Sequence, residues 1–296
     1  MNSFRFKGES NLQLNHQKIR DLSRVKCWLL DMDGTITLGE ELLPGADRFF
    51  RSIHGSEYIF LTNNSSHSAG HYINRMRKLG IPTDRKQMLT STDALAMYLK
   101  QLCHEQSEIL VFPVGTADFE SELETAGISL VKKREQALDY VVLGFDTSLT
   151  YEKLDIACDY IRSGIPYLAA NPDYVCPMPG NKVLPDCGAI IAFMETCTGK
   201  KPDKVIGKPD TAMVDMIRAN RGYRPDEIAM VGDRIYTDMA VAKKAGILCI
   251  AVLSGEATAE EIEASQVEPD YIFTDVGELS DTLSICRQDA SAGGSD

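Results

Sequence analysis

The chain has 296 residues, 44% hydrophobic and 25% charged, the proportions of an ordinary globular protein with length enough for a sizeable core and a smaller second unit. A net charge of −12 with no basic block to offset it argues against nucleic acid or an acidic membrane surface as the main partner. No apolar run approaches the roughly 18 residues of a membrane span.

The opening stretch, MNSFRFKGESNLQLNHQ, is polar and mixed in charge, without the apolar run of a secretory signal, and residues 1–23 are expected to be a poorly ordered extension. A β-type run, Val25 to Leu30, then stops on Asp31-Met32-Asp33-Gly34-Thr35. Side chains two apart on an extended segment share a face, so Asp31 and Asp33 must occupy one small region. Two unit charges about 4 Å apart repel by roughly 4 kcal/mol at an effective dielectric near 20. A cation or a shared proton is needed to offset that.

A helix is expected to open at Pro44, and a second β run, Tyr58 to Leu61, leads into Thr62-Asn63-Asn64-Ser65. The spacing predicts a helix from Ser68 to Leu79, ended by Gly80, and His67 and His71 lack a third ligand and read as surface or substrate-edge residues. Residues 85–180 have their own strands (Glu108 to Phe112, Tyr140 to Phe145, Tyr167 to Ala170) and helices. They form a candidate inserted α/β domain, entered near Pro82 and left through Cys176-Pro177-Met178-Pro179-Gly180, with residues 1–84 and 181–296 as the discontinuous core. Beyond it come Val205-Ile206-Gly207-Lys208-Pro209, a helix over Asp210 to Ala219, a run Ile228 to Val231 ending on Gly232-Asp233-Arg234 with Thr237-Asp238, and a run Leu248 to Leu253. The small, polar stretch Gln288 to Asp296 is expected to be disordered. Short β runs alternating with amphipathic segments are the pattern of an α/β fold, a doubly wound parallel sheet covered by helices. The eight cysteines contain no Cys-x-x-Cys pair, several lie in apolar runs, and a reduced, cytoplasmic setting is the plain expectation.

Ligands of open α/β sheets gather at the carboxyl ends of strands, which is where the four polar segments fall. Singly each has an ordinary reading: a solvated turn, a helix cap, a loop lysine, a Gly-Asp turn. Found together, each after a buried-strand pattern, they resemble the four motifs of the haloacid dehalogenase (HAD) superfamily of phosphatases over most of residues 25 to 283. Thr62-Asn63-Asn64-Ser65, Val205 to Pro209, Gly232-Asp233-Arg234 with Thr237-Asp238, and Val252-Leu253-Ser254-Gly255-Glu256 are similar more narrowly to its NagD-like, class IIA branch. The resemblance implies a HAD-like Rossmannoid core with an inserted cap, an aspartyl-phosphate intermediate, and a homodimer through the cap that the sequence itself does not reveal.

The chemistry of the residues supports the same roles. Asp31, first off its strand, is the expected nucleophile toward phosphorus, and Asp33 the acid that protonates the leaving oxygen and later deprotonates water. Gly34 lets the backbone come close to the phosphate, Thr62 donates its hydroxyl and Asn63 its backbone N–H, and Lys208 supplies a compact positive charge. Asp31 and Asp233, with the Asp33 carbonyl, offer Mg2+ hard oxygen ligands, and Asp238 is expected behind them holding a metal-bound water or Lys208. Arg234 and Tyr236 are expected to pack near the site. Asp146, Asn171 and Asp173, polar residues at strand ends of the insert, are candidates for reading the substrate, with turn formation as the equal alternative.

The Asp31 loop is no EF-hand, since its sixth and twelfth positions are Ile36 and Leu42. Gly207-Lys208 lacks the Walker frame, and no nucleophile elbow or dinucleotide fingerprint occurs. The expected function is hydrolysis of small phosphate esters such as nucleotide, sugar or 4-nitrophenyl phosphates. Two rivals are a receiver-like phospho-acceptor, which would have no acid two residues after the nucleophile, and a dehalogenase, which would need no metal ligand such as Asp233. A non-catalytic binding protein on the same fold would have no use for intact motifs.

Overall fold

In a computed structural model the residues described are 21–102, 108–134, 137–178, 180 and 182–292. The first strands are β1 (Cys27–Leu30), β2 (Thr37–Leu38), β3 (Glu41–Leu42), β4 (Glu57–Thr62) and β5 (Met88–Thr90). There follow β6 (Leu110–Val114), β7 (Ser129–Leu130), β8 (Tyr140–Leu143), β9 (Tyr167–Ala169), β10 (Val175–Met178), β11 (Lys182–Pro185) and β12 (Lys204–Val205). The last are β13 (Ile228–Gly232), β14 (Leu248–Val252) and β15 (Tyr271–Phe273).

Strand β1 is central in a six-stranded parallel sheet of order β15-β14-β13-β1-β4-β5. The chain leaves β1 toward β4 and returns on the other side at β13, which makes the end of β1 the point where the connection reverses. Leu30 lies in register with Phe60 and Val231, so Asp31, Thr62 and Asp233 leave neighbouring strands at the same edge. All four residues of β1 are buried because both faces are covered. Cys27 and Leu29 join one cluster with Leu61, Leu95, Ile217 and Met230; Trp28 and Leu30 join another with Phe49, Phe60, Tyr72 and Val231.

A second parallel sheet has the order β12-β9-β8-β6-β7, and β10 and β11 form a separate antiparallel hairpin. The strand pairing does not divide the chain at 85 and 180: Met88–Thr90 pairs with β4 in the first sheet, and Lys204–Val205 pairs with β9 in the second. Each is a strand of three residues or fewer, too short for any periodicity in the sequence. Helices Ser91–Leu102 and Ala212–Arg221 lie next to these two edge strands in the chain and put Leu95, Leu99, Met213 and Ile217 into the cluster shared by the sheets.

A seam of hydrogen bonds fastens the second unit to the loop after β4. Phe145 donates its N–H to Ser65 Oγ at 2.8 Å, and Thr116 Oγ1 donates to the Ser66 carbonyl at 2.8 Å. The N–H groups of Ser68 and Ala69, at the start of helix Ala69–Lys78, are accepted by Asp118 and Glu122 at 3.0 and 3.1 Å. Helix N-termini leave such donors unpaired and favour negative charge, so both acids suit the place they occupy.

Of the expected N-terminal extension, residues 1–20 lie outside the described residues, while Leu22 is buried against Trp28 and its neighbours. The tail is corrected in part: helix Val276–Ala292 continues through Gln288 to Ala292, a stretch with good helix formers at both ends, and 293–296 lie outside the described residues. Among the described residues no helix is long and apolar enough to cross a membrane.

Candidate active site

Asp31 follows β1 directly, and its Oδ1 accepts from Lys208 Nζ at 2.5 Å. The same ammonium donates to Asp238 Oδ1 at 2.7 Å and to the Leu61 carbonyl at 3.0 Å, which occupies all three of its hydrogens. Lys208 is 2% exposed. Burial by itself would lower its proton affinity, but Asp238 and Asp31 outweigh it and the ammonium is held above its ordinary range.

Asp31, Asp233 and Asp238 each bring a carboxylate oxygen within 4.8 Å of the others, all three buried. Burial first, then the charges of Asp31 and Asp238, raises Asp233 well above the usual carboxylate range. Burial followed by Asp31 likewise raises Asp238 to about 6, with Lys208 opposing. At that spacing each like-charged pair costs about 3–4 kcal/mol at an effective dielectric near 20, and one lysine leaves the group short of positive charge. Hard oxygen donors in surplus, aimed at one place, fit Mg2+. Asp31 keeps one oxygen without a hydrogen bond among the described residues, and both oxygens of Asp233 accept only from the neutral donors Thr35 and Glu256 N–H, whereas Asp238 spends one oxygen on the Lys208 ammonium and the other on the Arg234 N–H at 3.1 Å. Asp238 thus sits where a group that holds Lys208 must sit.

Asp233 is itself positioned by its neighbours: Thr35 Oγ1 donates to Oδ1 at 3.1 Å and the Glu256 N–H to Oδ2 at 2.7 Å. Gly34 has φ +96°, and a Cβ on it would lie 2.4 Å from Asp233 Oδ2; on Gly255 it would lie 1.9 Å away. The requirement for glycine at 34 is therefore met by this carboxylate and by its own backbone angle.

Asp33 lines the same cleft but stands outside this group of three carboxylates. Its Oδ1 accepts from Thr37 Oγ1 at 3.2 Å and from Arg75 Nη2 at 2.9 Å, while Arg75 also donates to Thr37 Oγ1 and the Gly39 carbonyl. Thr62 is buried beside Lys208, its oxygen accepting from the Asn64 N–H at 3.1 Å. The Asn63 side chain clasps the lysine's backbone, donating to the Lys208 carbonyl at 3.0 Å and accepting its N–H at 2.8 Å. Lys208 itself arrives from edge strand β12 of the second sheet, through Ile206 and Gly207, whose N–H groups bond to Ala169 and Ala170.

The facing wall of the cleft includes Asp173, Cys176, Pro177, Asp186 and Arg234, and about 30 Å3 remains inside, room for about one or two waters. Arg234 spans it, at ion-pair distance from Asp173 (3.4 Å) and Glu256 (3.1 Å). Asn171 is buried and donates to Asp186 Oδ1 at 2.9 Å, which puts it behind the wall. Asp146 is not brought to the cleft: its oxygens accept from Ser148 N–H and Oγ at 2.8 and 2.7 Å and from Lys153 Nζ at 2.7 Å, which is the turn-forming alternative. His67 and His71 are exposed and stacked at 4.1 Å. Sequence reasoning missed Arg75, Asp186 and the Asn63 side chain. A buried arginine beside Tyr72 and Met76 on the inner face of a helix was the one available sign.

Asp186 supports a first prediction. Burial raises it to about 7 against the hydrogen bonds it accepts from Asn171 and the Cys187 N–H. The folded chain then keeps a proton that the unfolded chain, with a value near 3.9, has released, so this residue's contribution to stability falls as pH rises from about 4 to about 7. Asp186→Asn is expected to remove that slope, roughly 2–4 kcal/mol across the window. Urea midpoints measured against pH read it directly, and an equally steep profile in the variant refutes the assignment.

Three buried carboxylates around one lysine, at the reversal point of a parallel sheet, define an α/β enzyme built to handle a dianion with a hard cation. The chain belongs to the haloacid dehalogenase-like hydrolases: residues 28–129 match that family and residues 205–279 a HAD-hydrolase-like one. Within the family it is a NagD-like phosphatase, and the relatives bear this out. The acid sugar phosphatase of Staphylococcus epidermidis is 32% identical over 257 residues, 86% of this chain and 96% of that one. The 4-nitrophenylphosphatase of Thermotoga maritima superposes with a TM-score of 0.82 at 37% identity, over 89% of this chain and 99% of that one. NagD of Escherichia coli gives 0.75 at 27%, covering 86% and 98%. The glycerol phosphate phosphatase Rv1692 of Mycobacterium tuberculosis, in complex with magnesium, gives 0.80 at 31%, covering 87% and 78%.

Proposed function

We propose that the chain hydrolyses small phosphate monoesters through a phosphorylated Asp31, with Mg2+ held by Asp31 and Asp233. The observation that carries this reading is the contact of Lys208 with Asp31 inside a buried group of three carboxylates. Asp31 attacks phosphorus with its free oxygen and the ester oxygen leaves with a proton from Asp33. Water then attacks the phosphoryl group on Asp31, giving its proton back to Asp33 and releasing inorganic phosphate. The Thr62 hydroxyl and the Asn63 N–H hold the phosphoryl oxygens, and Lys208, its hydrogens on Asp31, Asp238 and the Leu61 carbonyl, adds positive charge beside them; Arg75 fixes the place from which Asp33 works. Bound Mg2+ supplies the charge neutralisation that lets a dianion approach these carboxylates.

The second sheet with its hairpin is proposed as the cap, with Asp173 and Arg234 as the polar groups nearest the leaving half of the substrate. A cleft of about 30 Å3 is far below the ~300 Å3 or more of small-molecule sites, so the ester enters only when the cap opens. The relatives named for sugar, glycerol and nitrophenyl phosphates support small phosphorylated metabolites as substrates. Exposed Tyr174, Met178, Val183 and Leu184 on and beside the hairpin support a homodimer through the cap, and six free cysteines among the described residues support a reduced, cytoplasmic setting.

A panel of phosphate esters with added magnesium or chelator tests the reading. 4-Nitrophenyl phosphate is expected to be cleaved with magnesium and at least about 100-fold more slowly with chelator. Hydrolysis that survives chelation removes the metal from the scheme, and a protein that becomes phosphorylated but releases no product is a receiver.

A further inference from the structure

A second concavity of about 450 Å3, within the ~300–1,000 Å3 of ligand sites, opens between helices Ser91–Leu102 and Ala212–Arg221, away from the carboxylates. Its floor is apolar: Ile59 from β4, Met97, Met216 and Ile217. Its lining carries four basic side chains, Arg85, Lys86, Lys100 and Arg221, against one acid, Asp93. Arg85 is paired with Asp93 at 2.5 Å and Arg221 with Glu57 at 3.0 Å. Among the described residues, no carboxylate lies at ion-pair distance from Lys86 or Lys100. Helix C-termini account for basic residues at 100 and 221. Lys86 lies in the short 3-10 turn Arg85–Gln87, and helix ends do not account for the apolar floor between these charges.

In a chain of net charge −12 this rim is a local inversion of sign. An apolar floor under unpaired ammonium groups selects an anion with an apolar body, and partly exposed methionines adapt to such a body. We propose that this groove binds a small amphipathic carboxylate, its chain against Ile59, Met97, Met216 and Ile217 and its head group between Lys86 and Lys100. Both walls adjoin the edge strands at which the chain passes between the two sheets, so an occupant would bridge those crossings.

Calorimetric titration of the full chain with decanoate, below its micelle concentration, tests this independently of phosphatase activity. One-site saturation is expected, with no binding of decyltrimethylammonium, which has the same chain and the opposite charge. Lys86→Glu with Lys100→Glu should weaken decanoate about tenfold, and Met97→Trp, which fills the groove, should abolish binding. Lys86 and Lys100 are exposed, so the charge variant reports binding even if the tryptophan variant fails to fold. Failure of decanoate to saturate, equal binding of the cation, or affinity unchanged by the charge reversals each overturns the proposal.

Discussion

Asp31→Asn is expected to lower kcat on 4-nitrophenyl phosphate by at least ~10^4-fold, the scale of losing a covalent nucleophile, with a melting temperature close to that of the unchanged chain. The fold should survive because Lys208 keeps Asp238 and the Leu61 carbonyl as acceptors, and removing one of three crowded charges relieves repulsion of about 3–4 kcal/mol per pair. KM should move far less than kcat, since Lys208, Thr62 and Asn63 remain to bind phosphate. Steady-state kinetics beside a thermal melt separate these effects. Residual turnover above about a tenth of the original rate would mean that another group attacks phosphorus.

Lys208→Met is expected to cost both activity and stability. The ammonium is enclosed and saturated by two carboxylates and a carbonyl. Its loss leaves Asp31, Asp233 and Asp238 without a cation, and breaking a buried pair this way costs roughly 3–5 kcal/mol. Magnesium should restore part of that in the variant, because an ion that binds only the folded chain stabilises it. Urea unfolding with and without magnesium measures both terms. A variant as stable as the original chain would show that the carboxylates are protonated or apart in solution.

How much of this was legible beforehand follows from where each signal lies. An apolar run ending on Asp-x-Asp, Thr-Asn-Asn or Gly-Asp is local, and local patterns survive in sequence, so Asp31, Thr62 and Asp233 could be placed at strand ends. The reversal of chain direction around β1 then brings those ends together. The Asn63 clasp on Lys208 joins positions 145 apart and leaves no local trace. Arg75 sits on a helix whose pattern predicts only an amphipathic face, and nothing in that pattern says that it reaches Asp33. Glycine permits any close approach, so the sequence places Gly34 beside the phosphate; that the approaching group is Asp233 depends on a residue 199 positions away, which only the fold reveals. Asp146 shows the opposite failure: a strand-end aspartate serves a turn as readily as a ligand, and Ser148 and Lys153 claim it.

The bonds from Ser65, Ser66, Ser68 and Ala69 to Phe145, Thr116, Asp118 and Glu122 tie the upper unit firmly to the loop after β4, while among the described residues the hairpin of β10 and β11 reaches that loop through the weak Asn64 Nδ2–Cys176 Sγ contact at 3.9 Å. Any movement that admits a ligand while sparing those bonds has its fulcrum there, with the hairpin as the far end of the lever. Thr62 and Asn63 would then hold still through each cycle, while Cys176 and Pro177 travel farthest and sweep the mouth of the cleft.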